Sequence, residues 1–91
     1  MVREALQLDT EYLFEDGGWI GGRNAGGELE RQAHVEKEEH GAWLQLWYAP
    51  AVGFPRVARE LWTETWQEAL ELARRWCSGT DSITAWRKGL E

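Results

Sequence analysis

Between Thr65 and Gly79 apolar residues return every three or four positions. Trp66, Ala69, Leu70, Ala73, Trp76 and Cys77 make one stripe, and Gln67, Glu68, Glu71, Arg74 and Arg75 fall on the other side. This spacing predicts a helix whose striped face lies against a core. Thr65 and Glu68 stand at capping-box separation, so the threonine hydroxyl can accept from the third helical amide. Glu71 and Arg75 form an i, i+4 pair in the favourable order. Acidic residues gather near the start and basic ones near the end, as the helix dipole favours. Gly79 is placed to end the helix in a left-handed conformation.

Upstream, apolar residues recur at every second position instead. Leu6, Leu8, Tyr12 and Phe14 alternate as in a strand, although Val2, Ala5, Leu6, Tyr12 and Leu13 also suit a helix broken at Asp9. The expectation is a strand from Ala5 to Phe14, bent at Asp9-Thr10. Asp16-Gly17-Gly18 reads as a turn, Trp19-Ile20 as a short apolar step, and Gly21 to Gly27 as a flexible hairpin or bulged edge. Gly27 to Tyr48 reads as a β-hairpin turning at His40-Gly41. That turn sets Val35 opposite Leu46, Ala33 opposite Tyr48 and Lys37 opposite Leu44 on an apolar face. On the reverse face it sets His34 opposite Trp47, Glu36 opposite Gln45 and Glu38 opposite Trp43. A slip of one residue would exchange the faces. By propensity alone, Glu28 to Glu39 also suits a helix, but Leu29, Ala33 and Val35 make a poor stripe, which favours the strand. Ala49 to Pro55 is a loop, because its prolines cannot donate to a ladder. Val57 to Trp62 reads as a strand with Val57 and Leu61 on one face and Trp62 on the other. After Gly79, Thr80-Asp81-Ser82 can cap a short turn carrying Ile83 and Trp86. The fold class expected is α+β: an antiparallel meander sheet of three to five strands with one long helix, in the C-terminal half, packed on one face.

At 91 residues the chain is read as a single domain spanning 1–91. A chain of this size buries only about 60–65% of the surface its unfolded form exposes. Seven tryptophans are therefore more than a small core absorbs, since each can bury about 150–250 Å². The net charge of −6 argues against nucleic acid and against an anionic membrane surface. Cys77 is the one cysteine, so no internal disulfide forms, and its place on the apolar stripe makes it a buried, inert thiol. No charged start followed by an apolar run marks a signal peptide, and no window has the ~20 apolar residues of a membrane span. The expected setting is cytoplasmic.

Candidate chemistry is sparse. The glycine-rich run lacks the lysine and hydroxyl residue of a phosphate cradle. His34 and His40 would lie about 20 Å apart along a strand, and Cys77 adds no ligand at a recognisable spacing, so no metal and no cofactor is expected. Ser78 and Ser82 read as capping residues. Glu36, Glu38 and Glu39 read as a solvated strand and turn rather than an acid–base pair. No catalytic residue is nominated, and the expectation is a protein that is not an enzyme.

The aromatic surplus carries the functional reading. Trp66 and Trp76 belong to the helical core face, which leaves Trp43, Trp47, Trp62, Trp19 and Trp86. In one reading they form, with Glu36 and Glu38 beside them, an interface for a second copy or another protein, since tryptophan dominates interface hot spots. In another, indole rings and a glutamate line a pocket for a small organic ligand, a cationic aromatic one above all. In a third, Trp86 and its loop fold back over Trp43 or Trp47 within a single copy.

Tyr12-Leu13-Phe14-Glu15-Asp16-Gly17-Gly18-Trp19 and Thr65-Trp66-Gln67-Glu68-Ala69-Leu70-Glu71 are similar to the opening strand pair and the helix start of HicB-type antitoxins. The likeness covers under a quarter of the chain. A Glu-rich hairpin replaces the Pro-rich loop of that family, and no DNA-binding tail follows. The resemblance implies a neutralising, partner-binding role, and the charge of −6 is compatible with an acidic decoy for a basic partner.

Overall fold

The structure, a computed structural model, describes residues 7–13, 16–49 and 54–79. Five strands form one antiparallel sheet in chain order: β1 (Gln7–Leu13), β2 (Gly17–Arg23), β3 (Leu29–Glu38), β4 (Gly41–Tyr48) and β5 (Arg56–Thr63). Helix α1 (Trp66–Ser78) follows and packs on one face, chiefly against β3 and β4. The α+β meander expected from the periodicity is the fold observed. The readings of residues 2–6 and Phe14, of the loop at 50–53 and of the turn carrying Ile83 and Trp86 lie outside the described residues.

The alternation of small and branched residues on β3 and β4 explains where the helix sits. Ala33, Val35, Ala42, Leu44 and Leu46 point to one face and are fully buried, with Ile20 from β2. Ala69, Ala73, Trp76 and Cys77 of α1 meet them, and Trp66, Leu70 and Leu72 border the contact. Thr65, in extended conformation, accepts from the Glu68 amide at 3.1 Å, and Gly79 closes the helix at φ 69° with its N–H donating to the Trp76 carbonyl. Helix start and stop are thus written locally.

Three local expectations need correction. Gly17 and Gly18 open β2 rather than making a turn, and β2 is an interior strand. Gly22 faces α1 so closely that a Cβ there would lie 1.9 Å from the Cys77 carbonyl oxygen. The run does end in the expected hairpin, with a bulge between Gly22 and Arg23, and in its turn the Asn24 side-chain oxygen accepts from the amides of Gly26 at 3.0 Å and Glu28 at 3.1 Å.

The β3–β4 turn is Glu39-His40, not His40-Gly41. Val35 therefore pairs with Leu44, Ala33 with Leu46, His34 with Gln45 and Glu36 with Trp43. The shift is two residues, an even number, so both faces survive as expected. Gly41 belongs to β4, because a Cβ there would meet the Thr63 carbonyl oxygen at 2.3 Å and the Trp62 ring at 2.7 Å. It is a contact glycine, not a turn residue.

On β5 the register slips between Leu46 and Trp47, leaving Ala58 as the extra residue. Val57 is consequently exposed opposite Trp47, while Leu61 pairs with Leu44 and packs on the core, so the two do not share a face. A similar slip in β1 falls at Asp9-Thr10, the polar pair that interrupts its alternation.

Candidate interaction surface

Strand alternation that sends alanine, valine and leucine toward α1 sends the large and polar side chains to the opposite face of the sheet. Register then gathers them into rows. Gly17, Glu36, Trp43 and Trp62 lie side by side across β2 to β5. The next row holds Trp19, His34, Gln45 and Glu60. The third brings Gly21, Gln32, Trp47 and Val57 into line. Four tryptophans thus share the face that α1 leaves uncovered.

Trp19 stacks on His34 with ring centroids 4.6 Å apart and planes tilted by 33°, and lies 6.2 Å from the Trp47 ring. Gln45 donates through Nε2 to Glu60 at 2.7 Å, which orients both groups along the middle row. Trp62 is 50% exposed and Trp19 37%, whereas Trp43 and Trp47 are half-buried among their neighbours. The Trp47 indole Nε1 is shielded and meets no acceptor among the described residues. An open hollow of about 370 Å³ lies beside Gly17, Trp19 and His34, edged by Asp16, Glu36 and Lys37.

This face is tied to the core through Trp76, which is fully buried. Its Nε1 donates to the Gln32 carbonyl at 3.1 Å and the Trp47 carbonyl at 3.0 Å, so one indole grips β3 and β4 beneath the outer row. The Arg31 guanidinium sits 4.4 Å over the Trp76 ring and donates through Nη1 to the Trp76 carbonyl at 3.3 Å, near the helix C-terminus. Arg31 is itself fully buried. A cation at a helix C-terminus and over an indole face is favourable twice, by the dipole and by the ring quadrupole.

Of the residues singled out by sequence, Trp19, Trp43, Trp47 and Trp62 share the outer face. Glu36 lies in their first row and Glu38, opposite Gly41, ends the same strand in solvent. Trp66, Ala69, Leu70, Ala73, Trp76 and Cys77 line the helical side of the core. Trp86 lies outside the described residues. The hairpin turn expected from the sequence set His34 against Trp47; the two-residue shift sets it against Gln45, and the β2–β3 register, which no sequence signal announced, brings Trp19 beside it. Sequence reasoning also missed Arg31, although Arg31 shares the parity of Ala33 and Val35, and that alternation was the signal for an inward arginine.

The face offers indole rings, an imidazole, carboxylates and an amide. Among the described residues no three of His, Cys, Asp and Glu are grouped as metal ligands would be. Cys77 is buried, and its thiol donates to the Ile20 carbonyl at 3.4 Å. No helix among the described residues is long and apolar enough to cross a membrane. No protein family, no curated protein and no solved structure matches the chain. The likeness to HicB-type antitoxins therefore rests on the quoted residues alone.

Proposed function

We propose that this chain is a non-enzymatic interaction protein of the cytoplasm that binds through the tryptophan-bearing face of its sheet, and that its first partner is a second copy of itself. The observation that carries this reading is the placement of Trp19, Trp43, Trp47 and Trp62 on the face opposite α1, with Trp62 50% and Trp19 37% exposed. A contiguous aromatic patch on a small domain is costly in water and marks a contact surface. Large rings packed at the centre of an interface supply most of its free energy. Light scattering of the wild type beside Trp43→Ala and Trp62→Ala tests the reading. A folded variant, by circular dichroism, with a smaller mass supports it, and an unchanged mass in both variants overturns it.

A second reading, a small cationic aromatic ligand, has one specific observation in its favour. The hollow at Gly17 presents the Trp19 and His34 rings beside three carboxylates, Asp16, Glu36 and Glu38, with Lys37 as the one cation on its edge. A cation over an indole with carboxylates nearby gains from both. Saturable quenching of tryptophan fluorescence with a rise in melting temperature is the expected signature. No shift across a panel of aromatic amines would remove this reading.

A further inference from the structure

We infer that the self-association proposed above, on which this inference rests, is a two-layer sandwich in which the outer faces stack about a two-fold axis running parallel to the strands between β3 and β4. Such an axis lays β3 over the partner's β4 and β2 over the partner's β5, and keeps each row at its own height. Each row is then read against its own reverse. In the first row Glu36 meets the partner's Trp43, and Trp62, whose ring leans over its own Gly41, reaches toward the partner's Gly17 and Glu38 beside the hollow of about 370 Å³. In the middle row His34 meets the partner's Gln45, and Trp19 meets the partner's Glu60. In the third, Gln32 meets the partner's Trp47. Each ring of the face therefore meets a glycine, a carboxylate or an amide rather than another ring. Rings fill gaps, and an indole N–H finds a carboxylate as acceptor.

Moving the axis onto β3 loses this complementarity. Glu36 would then face the partner's Glu36, desolvating two like charges. Aligned sheets cross at about 30°, which shifts the β2–β5 pairs by about one residue along the strand and leaves His34 and Gln45, nearest the crossing point, opposed. The size also fits. Four overlapping strands of about eight residues cover a plane of roughly 500 Å² before side-chain relief is added, against about 800 Å² per partner in a standard interface. Both helices would lie outside, on the far faces.

The hairpin tip tests the axis. His40 is exposed at the β3–β4 turn and lies off the stacked rows, and the only cysteine, Cys77, is buried. A spin label on His40→Cys is expected to find its twin within about 20 Å, since stacked sheets lie about 10 Å apart and both tips share one end. An axis across the strands would send the tips to opposite ends, more than about 30 Å apart. Gln45→Lys is the companion variant. Glu60 can pair with the new ammonium and keep the monomer folded, but the charge falls at the centre of the stacked faces, and dimer affinity is expected to fall at least about tenfold. Distant tips, with Trp43→Ala still dissociating the dimer, would overturn this stacking and spare the face. A wild type that stays monomeric at about 100 µM would overturn both the stacking and the self-association it rests on.

Discussion

Replacing Gly22 by alanine adds one methyl group where the sheet and the end of the helix touch. That Cβ would sit 1.9 Å from the Cys77 carbonyl oxygen, 2.9 Å from its carbonyl carbon and 3.3 Å from its Cα. All three are backbone atoms, so no flexible side chain can swing aside. To restore van der Waals contact the C-terminal turn of α1 must withdraw by about 1.5 Å. That movement strains the bonds which anchor the turn: the Cys77 thiol to the Ile20 carbonyl, the Trp76 indole to the Gln32 and Trp47 carbonyls, and Arg31 to the Trp76 carbonyl. Overpacking of this kind costs about 1–3 kcal/mol, and each weakened bond adds about 1 kcal/mol. The backbone at Gly22 is not in the left-handed region, so alanine incurs no conformational penalty and gains up to about 1 kcal/mol through the unfolded chain. The net loss is at least about 3 kcal/mol, or a melting temperature lower by at least about 12 °C for a domain of this size. Gly26→Ala is the control. Its nearest neighbour would be the Asn24 side-chain oxygen at 3.3 Å, and its stability is expected to stay within about 1 kcal/mol of wild type. Urea and thermal unfolding followed by tryptophan fluorescence read both. If Gly22→Ala melts within about 3 °C of wild type, α1 does not press on β2 as described.

Thr65→Ala removes the acceptor of the Glu68 amide and should cost about 1 kcal/mol in urea unfolding. Arg31→Met keeps the stem but loses the cation over Trp76 and the bond to its carbonyl. A loss of about 2–3 kcal/mol is expected, well beyond the effect of truncating the exposed Arg75. The net charge of −6 makes two copies repel, so dimer affinity should rise as salt goes from about 0.05 to 0.5 M. A dimer that weakens with salt would mean its contacts are ionic rather than aromatic.

The helix was legible almost to the residue, because its signals are local. Thr65 caps it, the stripe from Trp66 to Cys77 faces the core, and Gly79 ends it. The two faces of the β3–β4 hairpin were also legible, since Ala33, Val35, Leu44 and Leu46 alternate whichever even register is chosen. Register itself was not, because Gly41 carries the same letter whether it turns the chain or makes room for Trp62. The glycines of β2 misled for a related reason. Gly22 is required by Cys77, a helix residue more than fifty positions further along the chain, and no local pattern announces such a contact. Val57 was assigned by strict alternation, which the bulge at Ala58 breaks. Of the outer face, the rings were nameable one by one, but their rows follow only from three registers taken together.

The central claim is that the outer indoles are a contact surface, and it is met most directly by measuring mass and tryptophan accessibility on the same samples across a concentration series. The expected result is a mass rising from 10.5 kDa toward twice that value, while quenching by acrylamide falls as Trp19 and Trp62 are covered. A mass that holds at 10.5 kDa at every concentration, with those two rings as quenchable at the top of the series as at the bottom, would contradict it.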